Sequence, residues 1–334
     1  MLILRKLLFP FALLYGAITW FRNFLYNTGV LKSREYDLPV ICVGNLNTGG
    51  TGKSPMIEFL LKILLPEYRV ATLSRGYKRN SKGYVFLSGR ESAAIVGDEP
   101  LQFKRKYPDA LVAVDANRQN GISCLAEENP EVILLDDAFQ HRKVKAGLNI
   151  LLTAYDKLFI NDVMLPTGNL REPAAGAERA AIIVVTKCPP DLGIDEMQRI
   201  RTALKPRNYQ RLFFSYISYG EEIFGNGNAR TLQVLAKVNF TLITGIANPV
   251  PLVEFLKERK FVFRHLQFPD HHQFSSAEIK KIASRDFILA TEKDYMRLKE
   301  HIPAEQLWYL PINTKFITGE EAFKREIREF IKTK

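Results

Sequence analysis

The sequence predicts an α/β protein with two α/β/α domains and an N-terminal amphipathic helix. Short apolar stretches alternate with helical stretches over residues 36–215, which predicts a parallel sheet with helices on both faces, as in P-loop NTPases. A second alternation follows after a polar, glycine-rich stretch, and 334 residues suffice for two domains of ordinary size. The predicted units are a membrane-associated helix with its linker (1–35), a P-loop domain (36–219) and a smaller α/β domain that contributes to the active-site cleft (220–334).

Apolar, β-rich stretches of the first domain are the predicted strands. They cover residues 40–43, 70–73, 111–114, 132–135, 149–152 and 181–185, and an aromatic run follows at 212–219. Ligands bind beyond the carboxyl ends of the strands in such sheets. We therefore expect the functional site to lie where these strands end.

Composition narrows the function classes. The formal net charge is +11, which suits nucleic acid, an anionic membrane or a phosphorylated substrate. The chain shows no base-stacking motif, zinc module or arginine-rich block, so nucleic acid is the least favoured partner. Cys42, Cys124 and Cys188 have no metal-binding spacing, and their odd number argues against a disulfide framework. A reducing, cytoplasmic compartment is the simplest interpretation.

The N-terminal segment is basic and apolar. Residues 1–34 contain five Lys or Arg and no acidic residue. The uncharged stretch at 7–21 is interrupted by Pro10 and Gly16 and is shorter than the roughly 20 residues of a spanning helix. A wide apolar face with basic flanks and Trp20 favours a helix lying in a membrane interface. The alternative is a helix packed on the core of this protein, and both can hold in part.

A P-loop follows the first predicted strand. Its glycines let backbone N–H groups turn toward phosphate oxygens, and the helix after it adds positive potential. Lys53 would reach the β- and γ-phosphates, and Ser54 would ligate Mg²⁺. Asn47 stands where the usual pattern has glycine, and asparagine tolerates the left-handed backbone of such a turn. The predicted nucleotide-binding residues are Asn47, Thr48, Gly49, Gly50, Thr51, Gly52, Lys53 and Ser54.

An acidic pair follows the fourth predicted strand. Asp136 and Asp137 come directly after the apolar stretch at 132–135, the layout of a Walker B motif that brings a carboxylate to Mg²⁺. His141 follows in the same loop. It could contact a substrate phosphate, or it could make a structural hydrogen bond.

Other polar turns each allow two interpretations. The basic turn at 74–79 is either a substrate-phosphate site or a solvated loop. Asp98 and Glu99 could serve as a base and a metal ligand, or they could cap the following helix. Arg171, in a turn-rich loop at 165–173, could stabilise a transferring phosphoryl group or pair with its neighbour Glu172.

The second half contains fewer motifs. Residues 220–230 are polar and glycine-rich and are predicted to form a linker. The predicted elements beyond them are strands at 240–244, 261–265 and 287–290 and helices at 250–258 and 319–333, the last of which could pack on the first domain. Asp270-His271-His272 lacks a third metal ligand. A histidine that orients a carboxylate is chemically more natural, and a surface turn is the alternative.

Taken together, these motifs resemble one family along nearly the whole chain: the tetraacyldisaccharide 4′-kinases of lipid A synthesis. The matching segments are Val43-Gly44-Asn45; Gly49-Gly50-Thr51-Gly52-Lys53-Ser54-Pro55; Ser74-Arg75-Gly76-Tyr77; Gly97-Asp98-Glu99-Pro100; Asp136-Asp137-Ala138-Phe139-Gln140-His141-Arg142; Leu165-Pro166 with Gly168 and Leu170-Arg171-Glu172-Pro173; Thr244-Gly245-Ile246-Ala247-Asn248-Pro249; Asp270-His271-His272 with Phe274; and Thr291-Glu292-Lys293-Asp294.

The resemblance implies transfer of the ATP γ-phosphate to the 4′-hydroxyl of an acylated glucosamine disaccharide 1-phosphate, with Mg²⁺. It implies a peripheral location on the cytoplasmic face of the inner membrane and no obligate protein partner. Asp98 would be the base for the sugar hydroxyl, and His271 of the second domain would tune it. The other implied site residues are Lys53 and Arg171 in catalysis, and Ser54, Asp136, Asp137 and Glu99 as candidate Mg²⁺ ligands, with His141 in support.

Two other classes compete with the kinase. A membrane-bound partitioning ATPase would carry a signature lysine just before the Gly-Gly pair, where this chain has Thr48. A basic NTPase that binds nucleic acid would show ATPase activity stimulated by DNA or RNA.

Overall fold

The structure, a computed structural model, describes Arg5, residues 7–270 and residues 272–334. The predicted α/β class is confirmed, and the N-terminal helix is present. The helices are α1 (Phe9–Asn27), α2 (Lys53–Leu64), α3 (Ala93–Val96), α4 (Asp98–Lys106), α5 (Arg118–Ala126), α6 (Ile194–Leu204), α7 (Val250–Glu258), α8 (Ser276–Ala283), α9 (Glu292–Leu298) and α10 (Glu320–Lys332). The strands are β1 (Val40–Asn45), β2 (Val70–Ser74), β3 (Val85–Phe86), β4 (Leu111–Val114), β5 (Val132–Asp136), β6 (Leu148–Ala154), β7 (Ile182–Thr186), β8 (Arg211–Tyr219), β9 (Glu222–Gly225), β10 (Asn228–Thr231), β11 (Phe240–Thr244), β12 (Phe263–Gln267), β13 (Ile288–Ala290), β14 (Leu307–Tyr309) and β15 (Ile312–Phe316).

The first sheet has nine strands in the described part of the chain, in the order β15-β8-β7-β6-β1-β5-β2-β4-β3. Its central strands are buried along their whole length, as expected when helices cover both faces of a parallel sheet. β1 lies between β5 and β6, and Val43 is in register with Asp136. The loop after β1 and the acidic pair at the end of β5 therefore emerge side by side.

The end of the chain returns to the first sheet. β15 pairs antiparallel with β8, and α10 packs beneath it. Four aromatic side chains, Phe59, Phe213, Phe316 and Phe323, join the P-loop helix, β8, β15 and α10 in one cluster. The first sheet thus takes its last strand from the range that the sequence analysis assigned to the second domain.

The second sheet has the order β10-β9-β14-β13-β11-β12 among the described residues, with apolar clusters on both faces. The predicted linker at 220–230 is wrong, because β9 and β10 form a hairpin there. Asn226 and Gly227 form its turn with φ values of 47° and 74°. Left-handed backbone at both positions is the type I′ turn that an Asn-Gly pair favours, and that pair was the signal in the sequence.

Helix α1 packs on the first domain through polar side chains and exposes an apolar face. Tyr15 donates a hydrogen bond of 2.9 Å to the carbonyl of Arg171, and Asn23 donates one of 2.7 Å to the Glu172 carboxylate. The apolar face of α1 comprises Phe9, Phe11, Leu13, Leu14, Ile18, Trp20, Phe21 and Phe24. Of the helices in the described ranges, none has the length and apolar character needed to span a membrane.

Candidate active site

The P-loop joins the end of β1 to the start of α2 at the carboxyl edge of the first sheet. Gly49 and Gly52 have φ values of 112° and 86°, which side chains rarely permit. Asn47 Nδ2 donates a hydrogen bond of 2.8 Å to Asp162, and the Thr48 amide donates one of 2.7 Å to the Asn169 carbonyl. The asparagine that departs from the usual pattern therefore anchors the loop to the segment at 162–171.

The end of β7 supports the same loop from the other side. Thr186 Oγ1 donates to the Thr51 carbonyl over 2.7 Å, and Lys187 Nζ donates to the Gly50 carbonyl over 2.5 Å. Neither residue was assigned a role from the sequence. Their contacts show that they hold the P-loop backbone, a role that strand spacing alone did not reveal.

Lys53 lies beside the acidic pair of β5. Its ammonium is 3.4 Å from Asn45 Oδ1 and 3.7 Å from Asp137 Oδ1. Arg171 NH1 donates hydrogen bonds of 2.9 and 3.0 Å to the two oxygens of Asp137. Arg171 is thus paired with Asp137 and not with its neighbour Glu172, which is fully buried. Two cations and one carboxylate converge at the mouth of the P-loop.

Asp136 is the buried member of the acidic pair. Ser74 Oγ donates to its Oδ2 over 3.2 Å, and its Oδ1 has no hydrogen-bond partner among the described residues. Burial, followed by the negative charges of Glu99 and Asp137, raises the pKa of Asp136 to about 7. A cation at Oδ1 would reverse that shift. The orphaned oxygen and the unfavourable charge together fit a metal-binding position.

The acidic turn at the start of α4 faces both the P-loop and the second sheet. Ser54 Oγ and Lys293 Nζ both contact Glu99 Oε1, at 2.5 and 2.6 Å. Burial disfavours the ionised form of Glu99, but Lys293 outweighs it, and the pKa falls to about 2. Asp98 forms an ion pair with Arg297, whose Nε lies 2.9 Å from Oδ2. Gly97 is the N-cap residue of α4, and both acidic residues lie in the first turn of that helix.

Lys293 and Arg297 both belong to α9, and the sequence analysis gave neither a role. Lys293 lies in the Thr-Glu-Lys-Asp segment quoted for the resemblance. Arg297 follows four residues later, which places both cations on one side of the helix. That spacing was the available signal, but the acidic turn they contact is nearly 200 residues away in sequence.

Basic and neutral groups line the other side of the site. Arg118 is buried and donates to the Asp136 carbonyl over 3.2 Å. Burial, with the charges of Arg118 and Arg75, lowers the pKa of His141 to about 4, so its imidazole is neutral at pH 7. His271 lies outside the described residues, so its predicted role stays a prediction. Asp270 before it is close enough to act electrostatically on both Lys293 and Arg297.

Within the described residues, no group of three or more His, Cys, Asp or Glu side chains has the arrangement of a metal-binding cluster. Mg²⁺ in kinases is usually bound by one or two protein oxygens, substrate phosphates and water. The oxygens available here belong to Ser54, Asp136, Asp137 and Glu99. The donor set therefore suits a metal that arrives with a nucleotide.

Comparison with known proteins identifies the family of the chain. The sequence model of the family described as LpxK, tetraacyldisaccharide-1-P 4′-kinase, matches residues 4–332. A tetraacyldisaccharide 4′-kinase of Flavobacterium johnsoniae is 52% identical over 99% of this chain and 98% of its own length. One of Bacteroides thetaiotaomicron is 42% identical over 95% of this chain and 90% of its own.

A solved structure extends the comparison to the fold. The crystal structure of LpxK from Aquifex aeolicus in complex with ATP has a TM-score of 0.80 and 30% identity to this chain. The match covers 98% of this chain and 99% of that one. The chain therefore belongs to the tetraacyldisaccharide-1-P 4′-kinase family and is a phosphotransferase.

Proposed function

We propose that this protein transfers the γ-phosphoryl group of ATP to the 4′-hydroxyl of a tetraacylated glucosamine disaccharide 1-phosphate. The observation that carries the proposal is the meeting of a P-loop with two acidic segments at one sheet edge. Lys53 and Ser54 come from the P-loop, Asp136 and Asp137 from the end of β5 and the residue after it, and the Asp98–Glu99 turn from the start of α4. Family membership supports the choice of substrate.

Asp98 is the proposed base. As the 4′-hydroxyl oxygen bonds to the γ-phosphorus, its proton passes to the Asp98 carboxylate, and the bond from that phosphorus to the β–γ bridging oxygen breaks. ADP leaves with that oxygen. A positioned base contributes about 10²–10⁴-fold to such a step. His271 is the proposed partner of Asp98 in the second domain.

Lys53 and Arg171 supply positive charge where the transferring phosphoryl group carries negative charge. Lys53 is proposed to contact the β- and γ-phosphates, while Arg171 is held toward the site by its two hydrogen bonds to Asp137. Backbone N–H groups at 47–52 would cradle the remaining phosphate oxygens.

Ser54 and Asp136 are the residues best placed to hold Mg²⁺, with Asp137 and Glu99 as further candidates. The unpartnered Oδ1 of Asp136 supports this assignment. When bound, the metal would neutralise charge on the β- and γ-phosphates. The basic turn at 74–79 is proposed to bind the 1-phosphate of the substrate through the exposed Arg75, with the neutral His141 in support.

The apolar face of α1 is proposed to lie in the cytoplasmic face of the inner membrane, where an acylated substrate is found. Contacts of Tyr15 and Asn23 place this helix directly against Arg171 and Glu172. A headgroup held at the membrane surface would then be close to the P-loop. The net charge of +11 favours an anionic surface.

The test is transfer of labelled γ-phosphate from ATP to purified disaccharide 1-phosphate lipid in detergent micelles. We expect the wild type to label the lipid and Asp98→Ala to lose about 10²–10⁴-fold in turnover. Equal labelling by both proteins would support the kinase activity and reject Asp98 as its base.

A second measurement distinguishes the kinase from a membrane-bound partitioning ATPase. If folded, ATP-binding wild type left the lipid unlabelled but hydrolysed ATP faster in the presence of vesicles, the kinase proposal would fail. Stimulation by DNA or RNA would point instead to a nucleic-acid NTPase.

A further inference from the structure

Helix α9 is anchored by a buried carboxylate at its own first turn. Asp294 is fully buried, and it accepts hydrogen bonds from the Gly245 amide at 2.7 Å and from Thr291 Oγ1 at 2.6 Å. A Cβ at Gly245 would come within 2.7 Å of the Asp294 carboxylate, so glycine is needed for this contact. The two motifs at 244–249 and 291–294, which had no assigned role, therefore contact each other at the start of α9.

The same carboxylate orients Arg297. Its Oδ1 lies 3.1 Å from Arg297 NH1, and the side chain of Arg297 is only 9% exposed. While Asp294 holds NH1, the other nitrogens of the guanidinium reach the first domain, where both Nε and NH2 contact Oδ2 of Asp98. Burial and double pairing make this contact stronger and more directional than a surface ion pair.

Two neighbouring contacts determine how α9 lies on α4. Lys293 contacts Glu99, as described above. Glu292 is held by Lys106 at 2.8 Å and by Gln102 at 2.8 Å, and the same two residues also bind Glu58 of α2. The P-loop helix, the helix that carries the acidic turn, and α9 therefore meet in one buried polar network.

We propose that Arg297 is a positioning residue for phosphoryl transfer: it fixes the direction of the Asp98 carboxylate relative to the P-loop. The proposal rests on the proposed function, in which Asp98 is the base. Arg297 projects from α9, and Asp294, which is held by Gly245 and Thr291, holds its guanidinium in place. The guanidinium then pairs with the Asp98 carboxylate. A residue of the second domain therefore orients the proposed base of the first domain.

A double-mutant cycle tests this coupling. The variants are Asp98→Asn, Arg297→Met and their combination, with kcat and KM measured separately for ATP and lipid. We expect Arg297→Met to lower kcat by about 10²-fold, the effect of a misplaced reacting group, with little change in either KM. In the Asp98→Asn background, the same change should lower kcat no further, because residues that act as a unit are not additive.

Arg297→Lys is the conservative variant. Its ammonium keeps the charge but cannot place two nitrogens on one oxygen, so we expect a kcat between wild type and Arg297→Met. Arg325→Met is the matched control, because Arg325 is exposed on α10, away from the site. It should leave kcat unchanged. Thermal unfolding and ATP binding verify that each variant is folded.

Several outcomes would overturn the proposal. They are an unchanged kcat in Arg297→Met, a loss confined to KM, or the same fold-loss in the Asp98→Asn background as in the wild type. Failure of the proposed function is distinguished by Asp98→Asn alone, because a wild-type kcat in that variant rejects the base and the positioning role together. If Arg297→Met does not fold, the cycle is run with Arg297→Lys, and equal kcat in wild type and variant overturns the proposal.

Discussion

Asn47 shows how one residue can depart from a motif without losing its structure. It stands at the first glycine position of the usual P-loop pattern, and its side chain donates to Asp162. Asp162 in turn accepts from the amide and side chain of Asn169. Asparagine allows less backbone freedom than glycine would at this position. In return, its side chain connects the P-loop to the segment that carries Arg171.

The stability of that connection can be measured by replacing Asn47 with glycine. Asn47→Gly restores the usual pattern but removes a hydrogen bond to a carboxylate, a contact of about 1.5–3 kcal/mol. We expect a lower Tm and weaker ATP binding, measured by thermal unfolding and by calorimetry.

Asn129→Gly is the matched control for Asn47→Gly. Asn129 is exposed and has a φ of 51°, a conformation in which glycine is favourable. Its Tm should be unchanged or higher. Equal unfolding of Asn47→Gly and wild type would show that the Asp162 contact is dispensable.

At the scale of single elements, α1 separates into two sides with different partners. Its polar side chains pack on the loop at 164–172, and its apolar face is exposed. A helix held in this way needs no further contact with the protein to stay in place. The exposed face can therefore be changed without unfolding the domain.

Replacing three residues of that face tests the membrane proposal. Leu14, Ile18 and Phe21 are 59%, 59% and 54% exposed and lie on one side of α1. We expect their combined replacement by Gln to weaken co-sedimentation with anionic vesicles at least about tenfold, since each side chain loses apolar burial in lipid.

The matched control replaces exposed apolar residues outside α1. Ile194, Tyr209 and Val262 are 79%, 59% and 71% exposed. Their replacement by Gln should leave vesicle binding unchanged. If vesicle binding weakened equally in both triple variants, the binding would be non-specific hydrophobic adsorption and not the property of a membrane-binding helix.

At the scale of the whole molecule, periodicity predicted much of the first sheet and the segments that meet at its carboxyl edge. The apolar stretches at 40–43 and 132–135 both form buried strands, and these two strands are neighbours in the sheet. Periodicity could not predict contacts that depend on the docking of the two sheets. The pairing of Arg297 with Asp98 and the return of β15 to the first sheet are set by tertiary packing over long sequence separations.

The buried network between the domains predicts a pH-dependent stability. Burial and the neighbouring charge of Glu58 raise the pKa of Glu292 from 4.5 to about 7. Between those two values the folded protein holds a proton that the unfolded chain has released, so stability falls as pH rises through this window. Glu292→Gln removes this titration. We expect the Tm difference between variant and wild type to shift in favour of the variant from pH 5 to pH 8.

Glu258→Gln provides the comparison, because Glu258 is exposed at the end of α7. Its Tm difference from wild type should be the same at both pH values. A difference for Glu292→Gln that is also constant with pH would show that the Glu292 pKa is not raised in the folded protein.

The pairing of β8 with β15 has a consequence for biosynthesis. Tyr219 is opposite Ile312, so about 90 residues must be made before β8 gains its neighbour. At typical translation speeds this delay is roughly 5–20 s. The second sheet, which lies entirely within that interval, can assemble while the first still presents an unpaired edge. The second sheet can thus be completed before the first, and the aggregation-prone edge of β8 is covered only once β15 (Ile312–Phe316) has been made.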